Sequence, residues 1–312
     1  MKKIACLFVN VIMPENNDIY SEDDFFTPNA LNSFKKWNPD IDVHFISNKN
    51  FNEYCDLLQI TESYEDVGLF RILVVKKLME IQKYEKIIIL GIDTITCDKL
   101  NELIDNNYDD IICSSGGFHT IETEYFKTPI VNFNDNGKIY TDIPNINGDL
   151  ICFNNVKSID TLYNTTLNFW TSQREQGGLM YCYLNQKELG LKVSIVDYPY
   201  YKTPFLYNIR SKGVVGGYCM IRGNVLNGRK GKVISDTYPT SLFYIKNDKL
   251  FTIDHKQVKL FHFCEGLGCK KIHKELGLDE ELTYEEQVNE MKTMWFNKET
   301  IDFLKKQCNC SF

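Results

Sequence analysis

One short run, Lys86–Ile92 (KIIILGI), constrains this chain more than any other stretch. A strand with one wet face alternates apolar and polar residues. This run does not alternate, and it is rich in β-branched isoleucine, so it reads as an inner strand buried on both faces. Such strands belong to sheets covered by helices on either side. The surrounding sequence agrees. Lys3–Val11 and Val43–Ile46 read as strands. Asp66–Ile81 reads as a helix, with Phe70, Val74, Leu78 and Ile81 at helical spacing and Glu65 and Asp66 at its positive end. Asp98–Asp105 reads as a short helix, and Asp110–Cys113, Asn147–Asn154 and Lys192–Asp197 as further strands. Val156–Thr171 and Glu175–Leu189 read as helices, the second stopped by Gly190, a good C-cap. Strands alternating with helices make βαβ units, so the expected fold class is α/β with a mainly parallel central sheet.

Two stretches break the pattern. Ser114–Phe133 is a long polar and aromatic connection, and Pro199–Ser235 is irregular and glycine-rich, with the basic segment RGNVLNGRKGK. Connections of that length are usually functional or mobile. Beyond them, Leu242–Ile245 and Leu250–Ile253 suit a hairpin around Asn247-Asp248. Val258–Phe263 reads as a last strand and Tyr284–Gln307 as a helical tail. No internal repeat or linker is visible. The expectation is one elaborated domain over 1–275, with 276–312 as a helical extension packed on it.

Charge and cysteine use exclude several functions. The 35 Lys and Arg against 42 Asp and Glu leave a net charge of −7, which argues against a dedicated nucleic-acid binder. No apolar stretch exceeds about ten residues, whereas a membrane helix needs ~20, so no transmembrane segment is expected. The 11 cysteines are odd in number, and several sit inside apolar runs (Cys6, Cys113, Cys152), where a reduced thiol acts as a small hydrophobe. Cys264/Cys269 and Cys308/Cys310 are the only close pairs and neither is CxxC. A zinc site with His262 is the weaker reading of them. MKKIACLFVNVIM has the lysines of a signal peptide, but Asn10 and Pro14 interrupt it and no cleavage site follows, so it reads as a first strand. The expected compartment is cytoplasmic.

Asp93 is the first residue to suggest chemistry, because it stands at the carboxyl end of the central strand, where open α/β sheets bind ligands. On position alone it has two readings, a ligand or metal contact and an N-cap for Asp98–Asp105.

The stretch Leu69–Leu103 resembles a core segment of GT-A-fold glycosyltransferases of the retaining glycogenin and bacterial lipopolysaccharide galactosyltransferase type. The shared pattern is a helix carrying an Arg, a strand ending in an acidic DxD motif, and a short helix. Arg71 falls on the Arg and Asp93 on the second Asp, while Gly91 falls on the first, so the motif is half present (Gly91-Ile92-Asp93). Three further segments match in order. Asn147 with GDLICFN resembles the Asn-x-Gly strand lining the sugar site. Glu175-Gln176-Gly177 resembles an Asp-Gln-Asp triplet at a helix start. HFCEGLGCK, from His262 to Lys270, resembles a His-x-x-Gly-x-x-Lys motif with longer spacing. The likeness covers most of 1–275.

The resemblance implies a metal-assisted, retaining transfer of a sugar from a nucleotide-sugar, expected to be a UDP-sugar, to an acceptor hydroxyl. The cofactor would be Mn²⁺ or Mg²⁺, held by Asp93 and His262. Lys270 would neutralise the diphosphate. Asn10, Arg71, Asn147 and Asp149 are the expected substrate contacts, and Glu175 and Gln176 the expected catalytic pair. The acceptor is a glycan, a lipid-linked sugar or a protein. These residue types suit the chemistry. A diphosphate leaves only once its charge is neutralised, by a hard cation and a lysine. Neutral amides hold hydroxyls, and a carboxylate favours an oxocarbenium-like centre.

Blander roles stand beside these. His262 in LFHF reads as a core histidine without the Gly and Lys downstream. Lys270 is one of three neighbouring lysines, Arg71 has Glu65 and Asp66 nearby, and Glu175 suits a helix start. Gly91 and Gly177, each where the family has a carboxylate, keep open a nucleotide- or glycan-binding scaffold without turnover. A nucleotidyltransferase is the remotest reading, because the segment after the first strand, NVIMPENND, is acidic and lacks glycine.

Overall fold

The computed structural model describes residues 3–11, 26–61, 67–92, 94–115, 146–168, 175–196, 243–252, 257–262 and 298–308. Its centre is a six-stranded mixed sheet built from β1 (Ile4–Asn10), β2 (Asp42–Ser47), β3 (Lys86–Leu90), β5 (Ile111–Ser115), β6 (Ile146–Phe153) and β7 (Val193–Val196), in the order β2-β1-β3-β6-β5-β7. The β1–β2, β1–β3 and β5–β7 pairs are parallel, and β6 runs antiparallel to both β3 and β5. The mainly parallel α/β sheet expected from the sequence is present. The reversed direction of β6 was not legible, because an inner strand covered on both faces has the same pattern either way.

Every residue of β3 is buried, as its sequence requires. Its side chains divide between two cores. Ile87 and Ile89 pack with α3 (Val67–Gln82), α5 (Val156–Asn168) and α6 (Glu175–Leu184). Ile88 and Leu90 pack on the other face with Ala30 and Phe34 of α1 (Phe26–Trp37). The lysine that opens the strand is fully buried too. Lys86 Nζ donates to the carbonyls of Leu103 (2.5 Å), Ile104 (2.7 Å) and Asn106 (2.6 Å), closing the carboxyl end of α4 (Asn101–Ile104) with a full positive charge.

Several boundaries shift. β4 (Thr94–Thr96) is too short to show a period and was not foreseen; it pairs antiparallel with β10 (Leu260–His262). The helix expected from Asp98 begins only at Asn101, because Asp98 is engaged by Lys249 (2.8 Å) and Gln257 instead. The helix after Glu175 divides into α6 and α7 (Gln186–Leu189), ending on left-handed Gly190 as expected. β8 (Phe243–Lys246) and β9 (Lys249–Thr252) form the hairpin, with Asn247 and Asp248 both at positive φ. The tail helix, α8 (Lys298–Cys308), docks on α1 through Trp37 Nε1 to Gln307 Oε1 (3.1 Å) and Lys36 Nζ to the Lys306 carbonyl (2.7 Å). Two helices went unpredicted, α1 and α2 (Phe51–Leu57). Most of Ser114–Phe133, all of Pro199–Ser235 and the Cys264/Cys269 pair lie outside the described residues. Among the described residues no helix is long and apolar enough to cross a membrane.

At the amino end of the sheet, His44 sits between two tyrosines. Its Nε2 is 3.0 Å from the Tyr84 hydroxyl, which donates to Asp42 (2.8 Å), and Tyr54 lies 3.4 Å from its Nδ1. Burial lowers the His44 pKa; Asp42 opposes the shift and Lys3 adds to it. A histidine whose folded pKa is lowered contributes stability above its unfolded value, ~6.5, and loses it as pH falls through the folded value. Stability should therefore decline on acidification from pH ~6.5, and His44→Gln should flatten that limb. Urea melts across this range check it; identical slopes in both proteins would contradict it.

Candidate functional site

The site forms where β3 ends. Gly91 donates its N–H to the Asp149 carbonyl on β6 (2.8 Å), and the Thr94 hydroxyl donates back to the Gly91 carbonyl (2.7 Å). The turn into β4 is thus tied to the sheet at both ends. Pairing of β10 with β4 sets His262 opposite Thr94. Asp93 lies within this turn but outside the described residues, as does Lys270. With β4 between Asp93 and α4, whose N-cap is Leu100, the capping role no longer falls to Asp93.

A buried charge cluster stands beside the turn. Arg71 projects from the second turn of α3, and its Nη2 ion-pairs with Glu175 Oε1 at the start of α6. Its Nη1 lies 3.6 Å from Asp149 Oδ1. The side chains of Arg71 and Glu175 are only 12% and 5% exposed, so neither charge has water to fall back on, whereas Asp149 is 30% exposed. Glu175 is therefore more than a helix-end charge. The approach is close: a Cβ at Gly148 would stand 2.5 Å from Glu175 Oε1 and 3.4 Å from Arg71 Nη2, so the carboxylate would have to shift to admit it. Nothing marks that glycine in the sequence beyond its place in the NGD segment.

The remaining expected residues divide. Gln176, half-buried, follows Glu175 on α6, and Asn147 pairs with Ser114 across β6 and β5. Asn10 is drawn elsewhere. It ends β1 on the α1 side of the sheet, and its Nδ2 donates to Thr27 Oγ1 at 3.1 Å, away from Arg71. Sequence reasoning missed Ser114, whose buried hydroxyl at the carboxyl end of β5 has no partner among the described residues. Cys6, Cys55, Cys97, Cys113, Cys152 and Cys182 form no disulfide among the described residues, and burial pushes their thiols up (Cys152 and Cys182 to about 12), away from the thiolate that a nucleophile needs. Among the described residues no three His, Cys, Asp or Glu are grouped to hold a metal ion.

No protein-family model matches the chain, and no curated protein does. Among solved structures it is similar to the galactosyltransferase LgtC in complex with donor and acceptor sugar analogs, at 12% identity and TM-score 0.37, over 90% of this chain and 98% of that one. It is similar to the glycosyltransferase GlyE of Streptococcus pneumoniae TIGR4, at 11% identity and TM-score 0.42, over 96% of this chain and 66% of that one. A third is mouse xyloside xylosyltransferase 1, at 10% identity and TM-score 0.37, over 83% and 96%. With every one of these scores below 0.5, the residues at the end of β3 carry the functional reading.

Removing one partner of a buried ion pair strands the other charge, at a cost of about 3–5 kcal/mol. Glu175→Ala should destabilise the protein by that order, and Arg71→Ala should add little in the Glu175→Ala background. A double-mutant cycle on unfolding free energies measures this. Additive losses would mean the two residues are not coupled.

Proposed function

We propose that this chain is a glycosyltransferase of the GT-A type that moves a sugar from a nucleotide-diphosphate sugar, a UDP-sugar in this reading, to a hydroxyl on a glycan, lipid-linked or protein acceptor. The observation that carries the proposal is a convergence. Residues singled out in four separate sequence segments, Arg71 with Gly91, Asp149, Glu175, and His262, belong to elements that meet at the carboxyl end of β3. Unrelated residues scattered from position 71 to position 262 have no reason to gather at the ligand-binding edge of an α/β sheet.

The donor chemistry of the residues fits a hard divalent cation. Asp149 and Asp93 offer carboxylate oxygens, and His262 an imidazole, on strands or turns that border Gly91–Thr94. Asp93 and His262 would hold Mn²⁺ or Mg²⁺, and the cation would serve as a Lewis acid on the leaving diphosphate. The chain's own residues do the rest. Lys270 adds a point charge to the phosphates. Arg71, oriented by Glu175, presents donors to the sugar hydroxyls, with Asn147 on the neighbouring strand. Gln176, one residue beyond Glu175, holds the reacting end of the sugar, and the Glu175 carboxylate below it favours developing positive charge. Retention of anomeric configuration, a cytoplasmic location and a nucleotide contact at Asn10 complete the reading.

UDP with Mn²⁺ should raise the melting temperature, by about 2.7 kcal/mol of added stability at ~100 times Kd, and Asp93→Ala should remove the rise. No shift with any nucleoside diphosphate, with or without metal, would exclude both a transferase and a nucleotide-binding scaffold. Turnover separates those two. Gln176→Ala should lower kcat and kcat/KM together while UDP affinity stays near the wild-type value, the mark of a contact made in the transition state. Sugar transfer by Gln176→Ala at the wild-type rate would remove Gln176 from the reacting end.

A further inference from the structure

We infer, on the basis of the nucleotide-sugar reading of the site, that Ser114 is a specificity residue for the transferred sugar. Its buried hydroxyl bonds a hydroxyl of that sugar on the side away from the diphosphate.

Ser114 is fully buried, and its Oγ has no hydrogen-bond partner among the described residues. A buried hydroxyl left unpaired is costly, and native proteins keep few of them. For packing alone, alanine would fill this position without that cost. Ile111, Ile112 and Cys113 before it are the apolar residues that a strand between two cores calls for. The change to serine comes only at the carboxyl end of β5, on the edge where open α/β sheets hold ligands.

The sheet is interrupted at the same place. β5 and β6 pair regularly up to Cys113 opposite Ile151, and then Ser114 stands opposite Asn147, so Gly148, Asp149 and Leu150 are passed over. The irregularity belongs to β6, because β5 keeps its register with β7 through Ser114 and Val196. Bulges are over-represented beside active sites. The segment passed over is also the one that meets the buried ion pair, since a Cβ on Gly148 would stand 2.5 Å from Glu175 Oε1.

Placement selects the part of the ligand. Across the edge, the strand order β1-β3-β6-β5 runs from Asn10, through the turn at Gly91, to Ser114, two strand spacings or about 10 Å beyond β3. What lies beyond the diphosphate in a nucleotide-sugar is the sugar. Ile112 and Val196 pack in the core on the α1 side, so Ser114, two residues past Ile112 and opposite Val196, stands on that side of the edge. Arg71 and Glu175 come from α3 and α6 on the other side. A sugar seated between them is held from both sides, with Arg71 and Ser114 reading different hydroxyls.

Binding and folding give opposite signs, which makes the test decisive. Thermal melting and titration calorimetry are run on full-length wild type and Ser114→Ala, with Mn²⁺ and with UDP, UDP-glucose, UDP-galactose or their two N-acetylhexosamine counterparts. Without ligand, Ser114→Ala should melt at or above the wild-type temperature, because it removes an unpaired polar group. Its UDP affinity should equal that of wild type. Its affinity for the UDP-sugar that wild type prefers should fall by about tenfold, the order expected for one lost hydrogen bond in a buried site. A lower melting temperature in the variant would give the hydroxyl a structural partner and overturn the inference. Wild-type UDP-sugar affinity in Ser114→Ala, or an equal loss for UDP and UDP-sugar, would overturn it as well. So would a wild type that binds UDP but none of the four UDP-sugars more tightly. A wild type that binds neither UDP nor any UDP-sugar would instead overturn the nucleotide-sugar reading, and this inference with it.

Discussion

The burial of β3 on both faces is the constraint from which the rest of the molecule follows. A strand with no wet side needs covering layers above and below, and α3 with α5 and α6 on one face and α1 on the other supply them. Polar groups are excluded along its length, and the one exception, Lys86, is matched by three carbonyls. Chemistry can begin only where the strand stops. Gly91 is that point, and its backbone bonds to Asp149 and from Thr94 hold it there.

Beside that point the chain keeps a charge where an apolar core residue would be cheaper. Burying Arg71 and Glu175 costs several kcal/mol per ion, and their attraction roughly returns it, so the pair is not retained for stability. It fixes orientation. Arg71 comes from α3, Glu175 from α6 and Asp149 from β6, and one guanidinium ties all three to a common geometry. Gly148 is part of the same device, because any side chain there would displace the Glu175 carboxylate. In the proposed reading such fixed donors would face a charged diphosphate and neutral hydroxyls, and preorganised dipoles lose nothing to reorganisation as a reaction proceeds.

Much of the fold was readable because it rests on periodicity. KIIIL is buried throughout, Phe70, Val74 and Leu78 of α3 are buried while Ile81 is exposed, and Asn247-Asp248 make the hairpin turn. Direction and partner choice were not readable. The antiparallel course of β6 leaves no mark in composition, and β4 at three residues has no period to detect. α1 was not foreseen; its buried side shows only where Ala30 and Phe34 pack with Phe8 and Ile88. At the site, residue types pointed to Arg71 and Glu175 separately. Their pairing joins positions 104 apart in sequence, and only tertiary structure creates it. Asn10 was legible by its position at the end of β1, but the bond from its amide to Thr27 was not, because that partner lies on a helix the sequence did not mark.

A crystal structure grown with UDP and Mn²⁺, with anomalous scattering recorded at the manganese edge, tests the central claim most directly. The account predicts a single manganese peak at the carboxyl end of β3, beside Gly91, with the diphosphate on it and the sugar side of the site toward Arg71 and Gln176. A manganese ion and nucleotide seated on another part of the sheet, or clear density for an empty β3 edge at saturating UDP, would contradict it.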